Sequence, residues 1–262
     1  MQTLALMYHD VVPGRSFESS GFQSPDANRY KLELDEFRRH MEIIAGFPER
    51  RVLLTFDDGG VSALQTAEIL EQFGAKGLFF VTTDRIASPG FLNEDQIRDL
   101  RARGHQVGSH SCSHPLRMSH CSPEVLDREW SDSVRKIEKI LGEPVTTASV
   151  PGGYYRRDVA AAAARAGIRE LFTSEPVTAT GKVDGCLVLG RFAIQRGLSE
   201  HRLRSLVAGR IWPRLEWYAL WNAKKLLKAV GGEAWLGLRA FILARREPKE
   251  AASSRGSAAA RR

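Results

Sequence analysis

Hydrophobic positions in the first two hundred residues follow two alternating patterns. Short apolar runs between turn residues are typical of strands, and apolar residues three or four apart are typical of amphipathic helices. Seven runs predict strands over Leu4–Tyr8, Val52–Phe56, Gly77–Val81, Gln106–Ser109, Thr147–Val150, Glu170–Thr173 and Leu187–Leu189. Strands that alternate with helices predict an α/β fold built on a parallel sheet, and seven strands are close to the number in a barrel.

The helices predicted between these strands have recognisable ends. Ser62 begins an apolar-periodic run that stops at Gly74, and Asn93 with Gln96 forms a capping-box pattern whose helix ends at Gly104. Three further helices are predicted over Asp35–Ala45, Pro123–Leu141 and Arg157–Ala166. The sequence contains no internal repeat.

After about Arg196 the pattern becomes helical only. Leu203, Leu206 and Val207 form a short helical stripe, and a longer periodic run with several tryptophans follows. We therefore predict three regions: a barrel over residues 1–196, a basic amphipathic helical extension over 197–246, and a disordered tail over 247–262 that is small, polar and basic.

Charge is distributed unevenly along the 262 residues. Residues 1–200 contain 24 Lys and Arg against 27 Asp and Glu, whereas residues 201–262 contain 14 against 4, so the net charge of +7 comes from the C-terminal quarter. This distribution argues against a nucleic-acid-binding fold. The basic segment is predicted either to bind an anionic membrane surface through residues 201–246 or to cover the barrel.

Composition and cysteine usage argue against a membrane-spanning protein and against a small protein stabilised by disulfides. A chain that is 43% hydrophobic and 26% charged can bury a full core, and it has no apolar run of 18 residues. Three cysteines without a CxxC pattern argue against a disulfide framework. The N-terminal residues do not resemble a secretory signal. We expect a cytoplasmic protein, peripheral on the inner membrane face if the basic segment binds lipid.

Two aspartates follow the apolar run Val52-Leu53-Leu54 in the sequence Thr55-Phe56-Asp57-Asp58-Gly59-Gly60. They stand at the carboxyl end of a predicted strand, where barrel enzymes carry their active sites. Adjacent carboxylates repel unless a cation or a proton compensates them. Neighbours at a strand end point to different sides, so one carboxylate can bind a metal ion while the other acts as a base. The alternative is a turn with solvated carboxylates.

Two histidines follow the next-but-one strand in the sequence His110-Ser111-Cys112-Ser113-His114. Histidines four residues apart meet on one face of a helical turn, a common arrangement for binding Zn²⁺. Two imidazoles and one carboxylate would leave an open coordination position, as a catalytic zinc site requires. The alternative is a structural zinc site closed by Cys112 and Cys121.

A third sequence at a strand end is Ser149-Val150-Pro151-Gly152-Gly153-Tyr154-Tyr155. A proline followed by two glycines permits close approach of the backbone to a ligand and offers an unobstructed amide donor. The alternative is an ordinary turn between a strand and a helix.

The three sequences together resemble the NodB-type polysaccharide deacetylases, carbohydrate esterase family 4. The resemblance covers about residues 1–195 and implies a distorted (β/α)7 barrel with metal-dependent removal of acetyl groups from N-acetylated sugars. It implies that Asp57 is the general base and that Asp58, His110 and His114 bind the metal ion, most simply Zn²⁺.

The same resemblance assigns the substrate side of the site. The backbone N–H of Gly152 is expected to stabilise the oxyanion, and Tyr154 is expected to contact the substrate. The substrate class is an N-acetylated carbohydrate, either an N-acetylglucosamine polymer or a lipid-linked glycan. Two other functions stay open: hydrolysis of a different non-peptide C–N bond, as in cyclic ureides, and a non-catalytic metal-binding role.

The sequence departs from the family pattern at two places. Ser149 stands where the family carries an arginine that braces the base, and Leu187-Val188-Leu189-Gly190-Arg191 replaces a late Leu-x-His that supplies the general acid. The run ending in Tyr8-His9-Asp10 instead resembles the circularly permuted branch that includes poly-N-acetylglucosamine deacetylases. Because first and last strands of a barrel are neighbours, we predict that His9 is the general acid, with Asp10 as the alternative.

Overall fold

The structure is a computed structural model, and it describes residues 3–222. The strands are β1 (Leu4–Tyr8), β2 (Val11–Val12), β3 (Leu32–Glu33), β4 (Val52–Phe56), β5 (Gly77–Val81), β6 (Gln106–Ser109), β7 (Thr147–Ser149), β8 (Glu170–Phe172), β9 (Thr180–Val183), β10 (Cys186–Leu189) and β11 (Phe192–Ala193). The helices are α1 (Pro25–Asn28), α2 (Leu34–Ala45), α3 (Ala63–Gln72), α4 (Glu94–Ala102), α5 (Pro123–Leu141), α6 (Arg157–Arg165) and α7 (Glu200–Val207).

Nine of these strands form one curled sheet in the order β11-β1-β4-β5-β6-β7-β8-β10-β9. All neighbouring pairs are parallel except β9 and β10, which form an antiparallel hairpin at one edge. The two short strands β2 and β3 pair separately. The α/β prediction and the barrel-like sheet are therefore confirmed, with β9 and β11 added at the two edges of the seven predicted strands.

The predicted elements agree closely with the structure. Four predicted strands have the same bounds as β1, β4, β5 and β6, and the other three differ by one residue at one end. The capping box predicted at Asn93 is present, and α5 begins with Pro123 and ends before Gly142, which adopts a left-handed conformation. The strands that the sequence did not predict are short or, like β9, polar and exposed.

Side chains alternate between the two faces of the sheet, as the pleat of a strand requires. Residues such as Leu6, Leu54 and Phe79 belong to the large core. Ala5, Leu78, Phe80 and Phe172 form a separate small cluster on the opposite face.

The chain after the sheet continues as helix. Leu203, Leu206 and Val207 of α7 are buried, as the predicted stripe requires, and α7 packs against α2. Residues 211–222 are also helical. Within residues 3–222, no helix is long and apolar enough to cross a membrane. The later part of the predicted extension and the predicted tail lie outside the described residues, and the predicted region boundaries stay predictions.

Candidate active site

Asp57 is buried at the carboxyl end of β4, where it is paired with the side chain of Arg191. Nη1 of Arg191 donates to Oδ1 of Asp57 at 2.7 Å and Nη2 donates to Oδ2 at 2.8 Å. Burial alone would raise the pKa of Asp57, but the adjacent guanidinium lowers it below its ordinary value. Asp57 is therefore an ionised carboxylate at neutral pH, held in one orientation by a two-point contact.

Arg191 itself is fully buried, and its guanidinium makes further contacts besides those with Asp57. Its Nε donates to the carbonyl oxygen of Thr173 at 3.1 Å, and Nη1 also donates to Oγ1 of Thr55 at 3.0 Å. Its guanidinium lies 5.6 and 5.9 Å from the ring centres of Phe80 and Phe172. The arginine that the family pattern places at position 149 is thus replaced in space by one that follows β10. The sequence did contain one sign of this role. Arg191 stands inside an apolar run, and an arginine that is buried there needs a partner of opposite charge.

Ser149 connects Asp57 to His110. Its Oγ donates to Oδ1 of Asp57 at 3.1 Å and lies 2.5 Å from Nδ1 of His110, whose ring also contacts the carbonyl oxygen of Ser149 at 3.1 Å. Because a carbonyl oxygen only accepts, Nδ1 of His110 carries the proton and donates it. In the neutral tautomer that this contact favours, Nε2 of His110 offers its lone pair to a metal ion.

Asp58, His110 and His114 form a cluster with the chemistry of a metal site. One ligand atom from each residue lies within 4.8 Å of the others. Nε2 of His110 lies 3.3 Å and Nε2 of His114 lies 3.6 Å from Oδ1 of Asp58. Two imidazole nitrogens and one carboxylate oxygen, all largely buried, match the donor set of a divalent ion with an open coordination position.

The ionisation states of Asp58 and His114 suit metal binding. Burial disfavours the charged form of His110, but the carboxylates of Asp57 and Asp58 raise its pKa above the ordinary value. Burial and the nearby His110 lower the pKa of His114 to about 4, so its imidazole is neutral at pH 7. Burial opposes ionisation of Asp58, but its hydrogen bond with His110 and the neighbouring histidines keep its pKa below the ordinary value. A neutral imidazole and an ionised carboxylate are the ligand forms that a cation requires.

Backbone strain is concentrated at these ligands. Asp58, Ser111 and His114 have φ values of +79°, +61° and +61°, in a region that residues other than glycine rarely occupy. The segment from His110 to His114 is therefore not the helical turn that its spacing suggested. It is a loop that turns at two left-handed residues and brings the imidazole centres to 5.1 Å.

Glu129 of α5 holds this loop, a role that no pattern in the sequence indicates. Its Oε2 accepts hydrogen bonds from the backbone N–H groups of Cys112 and Ser113 at 3.0 and 2.9 Å, and Oε1 accepts from Oγ of Ser113 at 2.6 Å. The carboxylate is mostly buried. It therefore offsets the cost of the strained loop that presents His114.

The alternative zinc site with cysteines does not form in the described part of the chain. Sγ of Cys112 donates to Oδ1 of Asp84 at 3.1 Å, and Sγ of Cys121 contacts the carbonyl oxygen of Arg117. Burial raises the pKa of the Cys112 thiol to about 11. Neither cysteine belongs to the cluster of Asp58 and the two histidines.

His9 lies directly after β1, next to the end of β4. Tyr8 pairs with Phe56 in the parallel register, and the N–H of Asp57 donates to the carbonyl oxygen of Tyr8 at 3.0 Å. His9 is close enough to Asp57 and Asp58 to contribute to the lowering of both carboxyl pKa values. Its ring contacts Tyr30, with 4.8 Å between the ring centres. The structure thus places His9 at the same site as the two aspartates.

Asp10 has a different environment, enclosed by the polypeptide. Its Oδ1 accepts from Oγ of Ser20 at 2.6 Å and from Oγ of Ser62 at 2.8 Å. A Cβ added at Gly21 would lie 2.1 Å from Oδ2, and one added at Gly60 would lie 2.0 Å from Oδ1. Asp10 therefore connects three loops beneath His9, and Ser62 uses its side chain for this contact and not for capping α3.

Gly152 and Tyr154 follow β7 on the same side of the sheet. Gly152 has a φ of +64°, and a Cβ there would lie 2.8 Å from the carbonyl oxygen of Leu116, just after His114. The guanidinium of Arg117 lies over the ring of Tyr154 at 5.9 Å. Both residues therefore lie beside the loop that carries the second histidine, and only glycine fits the first position without strain.

Comparisons with known proteins find similarity to polysaccharide deacetylases. The family described as Polysaccharide deacetylase matches residues 45–171. The YxkH protein of Bacillus subtilis, which has the provisional name of a polysaccharide deacetylase, is 27% identical over 209 residues, covering 74% of this chain and 72% of YxkH. A chitooligosaccharide deacetylase of Bradyrhizobium is 30% identical over 140 residues, covering 52% of this chain. The alignment spans 61% of that relative, less than two thirds of its length.

A solved structure shows the same fold. The deacetylase PplD of Streptococcus pyogenes, in complex with acetate, superimposes with a TM-score of 0.66 and 22% identity, over 79% of this chain and 98% of PplD. Since the Asp-Asp and His-x-x-x-His motifs also converge at one end of the sheet, the chain contains a polysaccharide deacetylase domain.

Proposed function

We propose that this protein is a metal-dependent hydrolase that removes the acetyl group from an N-acetylated sugar, either an N-acetylglucosamine polymer or a lipid-linked glycan. The observation that carries the proposal is that two adjacent carboxylates have different partners. Asp57 is neutralised by Arg191, whereas Asp58 faces two imidazoles. One site thus contains a base and a set of metal ligands that do not compete with each other.

Asp58, His110 and His114 would hold the metal ion, for which we propose Zn²⁺. A zinc ion bound there supplies Lewis acidity, which polarises a carbonyl and lowers the pKa of water. The hydrogen bond between Nδ1 of His110 and Ser149 fixes the tautomer and the ring orientation of this ligand.

Asp57 would accept the proton of the attacking water. Its Oδ1 already accepts from Arg191 and Ser149, whereas Oδ2 accepts from Arg191 alone. A carboxylate oxygen accepts about two hydrogen bonds, so Oδ2 keeps one position for the water. The guanidinium and the Ser149 hydroxyl prevent the carboxylate from turning away while it takes the proton.

His9 and Gly152 would act on the substrate once water has attacked. The backbone N–H of Gly152 is a donor for the developing oxyanion. The leaving nitrogen of an amide is too basic to depart as an anion, so His9 in its protonated form would donate a proton to it. Tyr154, beside Gly152, would contact the sugar ring.

The direct test is acetate release from N-acetylglucosamine oligomers by the purified full-length protein supplied with Zn²⁺. The proposal expects metal-dependent release of acetate. Hydrolysis of allantoin in place of the oligomers would favour a ureide hydrolase, and binding of zinc without turnover of either compound would favour a non-catalytic role. The cytoplasmic location predicted from the sequence stays a prediction.

Asp57→Asn should abolish acetate release, because an amide cannot accept the proton of the water. The variant should still bind one equivalent of zinc, because Asp58 and both histidines remain. Acetate release and metal content, the latter by mass spectrometry, are the two measurements. Loss of the metal would show that the roles of the two aspartates are reversed.

Arg191→Met should shift the acidic limb of the kcat/KM profile to higher pH. Without the guanidinium, burial raises the pKa of Asp57, so the base becomes ionised only at higher pH. Leaving the carboxylate buried and unpaired should also cost about 3–5 kcal/mol of stability.

The matched control is Arg196→Met, which removes an exposed arginine five residues later. It should leave the acidic limb of the pH profile unchanged. An unchanged acidic limb in Arg191→Met would show that the pairing does not set the ionisation of the base.

His9→Ala should lower turnover of an N-acetylated sugar by about 10²–10⁴, the usual contribution of one general acid. The loss should be much smaller on an activated acetyl ester, whose leaving group needs no proton. Metal content and melting temperature should stay unchanged. Equal losses on the amide and the ester would contradict the assignment, and activity near that of the wild type would leave Asp10 to be tested.

A further inference from the structure

The helical residues 211–222 expose a group of large apolar side chains. Trp212 is 78% exposed, Ile211 64% and Leu215 48%. Single exposed apolar residues are common on protein surfaces, but a contiguous group is typical of an interaction surface. We call Ile211, Trp212 and Leu215 the apolar face.

The opposite side of this helix is attached to the sheet. The ring of Trp217 meets that of Phe192 edge to face, with 6.0 Å between the ring centres, and Trp217 packs against the large core. At about 100° per residue, Trp212 and Leu215 lie roughly opposite Trp217 on the helix. Glu216, about 40° from Trp212 on the helix, forms an ion pair with Arg202 of α7 and so lies at the border of the apolar face. The helix therefore has one anchored side, and the apolar face points away from it.

Basic residues are frequent in the segment that carries the apolar face. Arg202, Arg204 and Arg210 are exposed, and the stretch from 201 to 222 contains four arginines against one glutamate. The basic excess of residues 201–262 contrasts with the slightly acidic first 200 residues. Tryptophan and aliphatic residues bordered by arginine are typical of a helix that lies in a membrane interface.

We propose that the apolar face docks on the surface of an anionic lipid bilayer. Trp212, Ile211 and Leu215 would enter the boundary between headgroups and acyl chains, while the arginines contact lipid phosphates. Charge complementarity favours this partner, since the excess positive charge is confined to the segment that carries the apolar face. Nucleic acid would use the positive charge but not the exposed aliphatic side chains. The inference goes beyond deacetylation and does not depend on it.

The test uses the full-length protein and sedimentation with two kinds of vesicle. One kind is phosphatidylcholine alone, and the other is equal parts phosphatidylcholine and phosphatidylglycerol. The wild type should bind the anionic vesicles preferentially and less tightly as salt increases. The double variant Trp212→Ser with Leu215→Ser keeps every charge and should bind at least about tenfold more weakly.

Leu116→Ser is the matched control, because Leu116 is 81% exposed but lies outside the basic segment. It should bind vesicles as the wild type does. Acetate release from soluble oligomers should be the same in the wild type and the double variant. Failure of the proposed function and failure of this inference are therefore distinguishable.

Three results would overturn the proposal. The first is a wild type that does not sediment with anionic vesicles. The second is a double variant that binds them as tightly as the wild type. The third is a wild type that binds both kinds of vesicle equally well, which would show that anionic lipid is not what the apolar face and its arginines recognise.

Discussion

The buried contact between Asp57 and Arg191 is the interaction on which the candidate site depends. Two consecutive buried carboxylates would repel each other, and burial alone would drive at least one of them to bind a proton. The two-point contact with the guanidinium compensates the charge of Asp57 and fixes its orientation. Asp58 is then the only one of the pair that faces His110 and His114. The separation of the proposed base from the proposed metal ligand follows from this one ion pair.

The fold stabilises the strained backbone conformations that the candidate site contains. Asp58 and His114 have left-handed φ values, which cost free energy in residues with a side chain. Glu129 holds the histidine loop through three hydrogen bonds, and Ser149 joins Asp57 to His110. These contacts come from α5 and from the end of β7, so packing between distant elements keeps the ligands in position.

The sequence predicted the strands and the ligands because both depend on local patterns. The apolar runs specify strands, and Asp57-Asp58 and His110 with His114 are recognisable motifs. Arg191 could not be assigned as the partner of Asp57, because the two residues are 134 positions apart and only the curled sheet brings them together. The spacing of the histidines indicated a helical turn, whereas left-handed residues produce the same proximity. Ser62 resembled a helix cap, but its hydroxyl bonds to Asp10.

The central claim is that one metal ion binds beside an ionised, arginine-paired base. Anomalous diffraction at the zinc edge, from crystals of the zinc-loaded protein, tests it most directly. The account predicts a single peak about 2.0–2.2 Å from the carboxylate of Asp58 and from Nε2 of His110 and His114. Asp57 should remain paired with Arg191 and outside the coordination sphere. A peak bound by Asp57, or one at Cys112 and Cys121, would contradict the account.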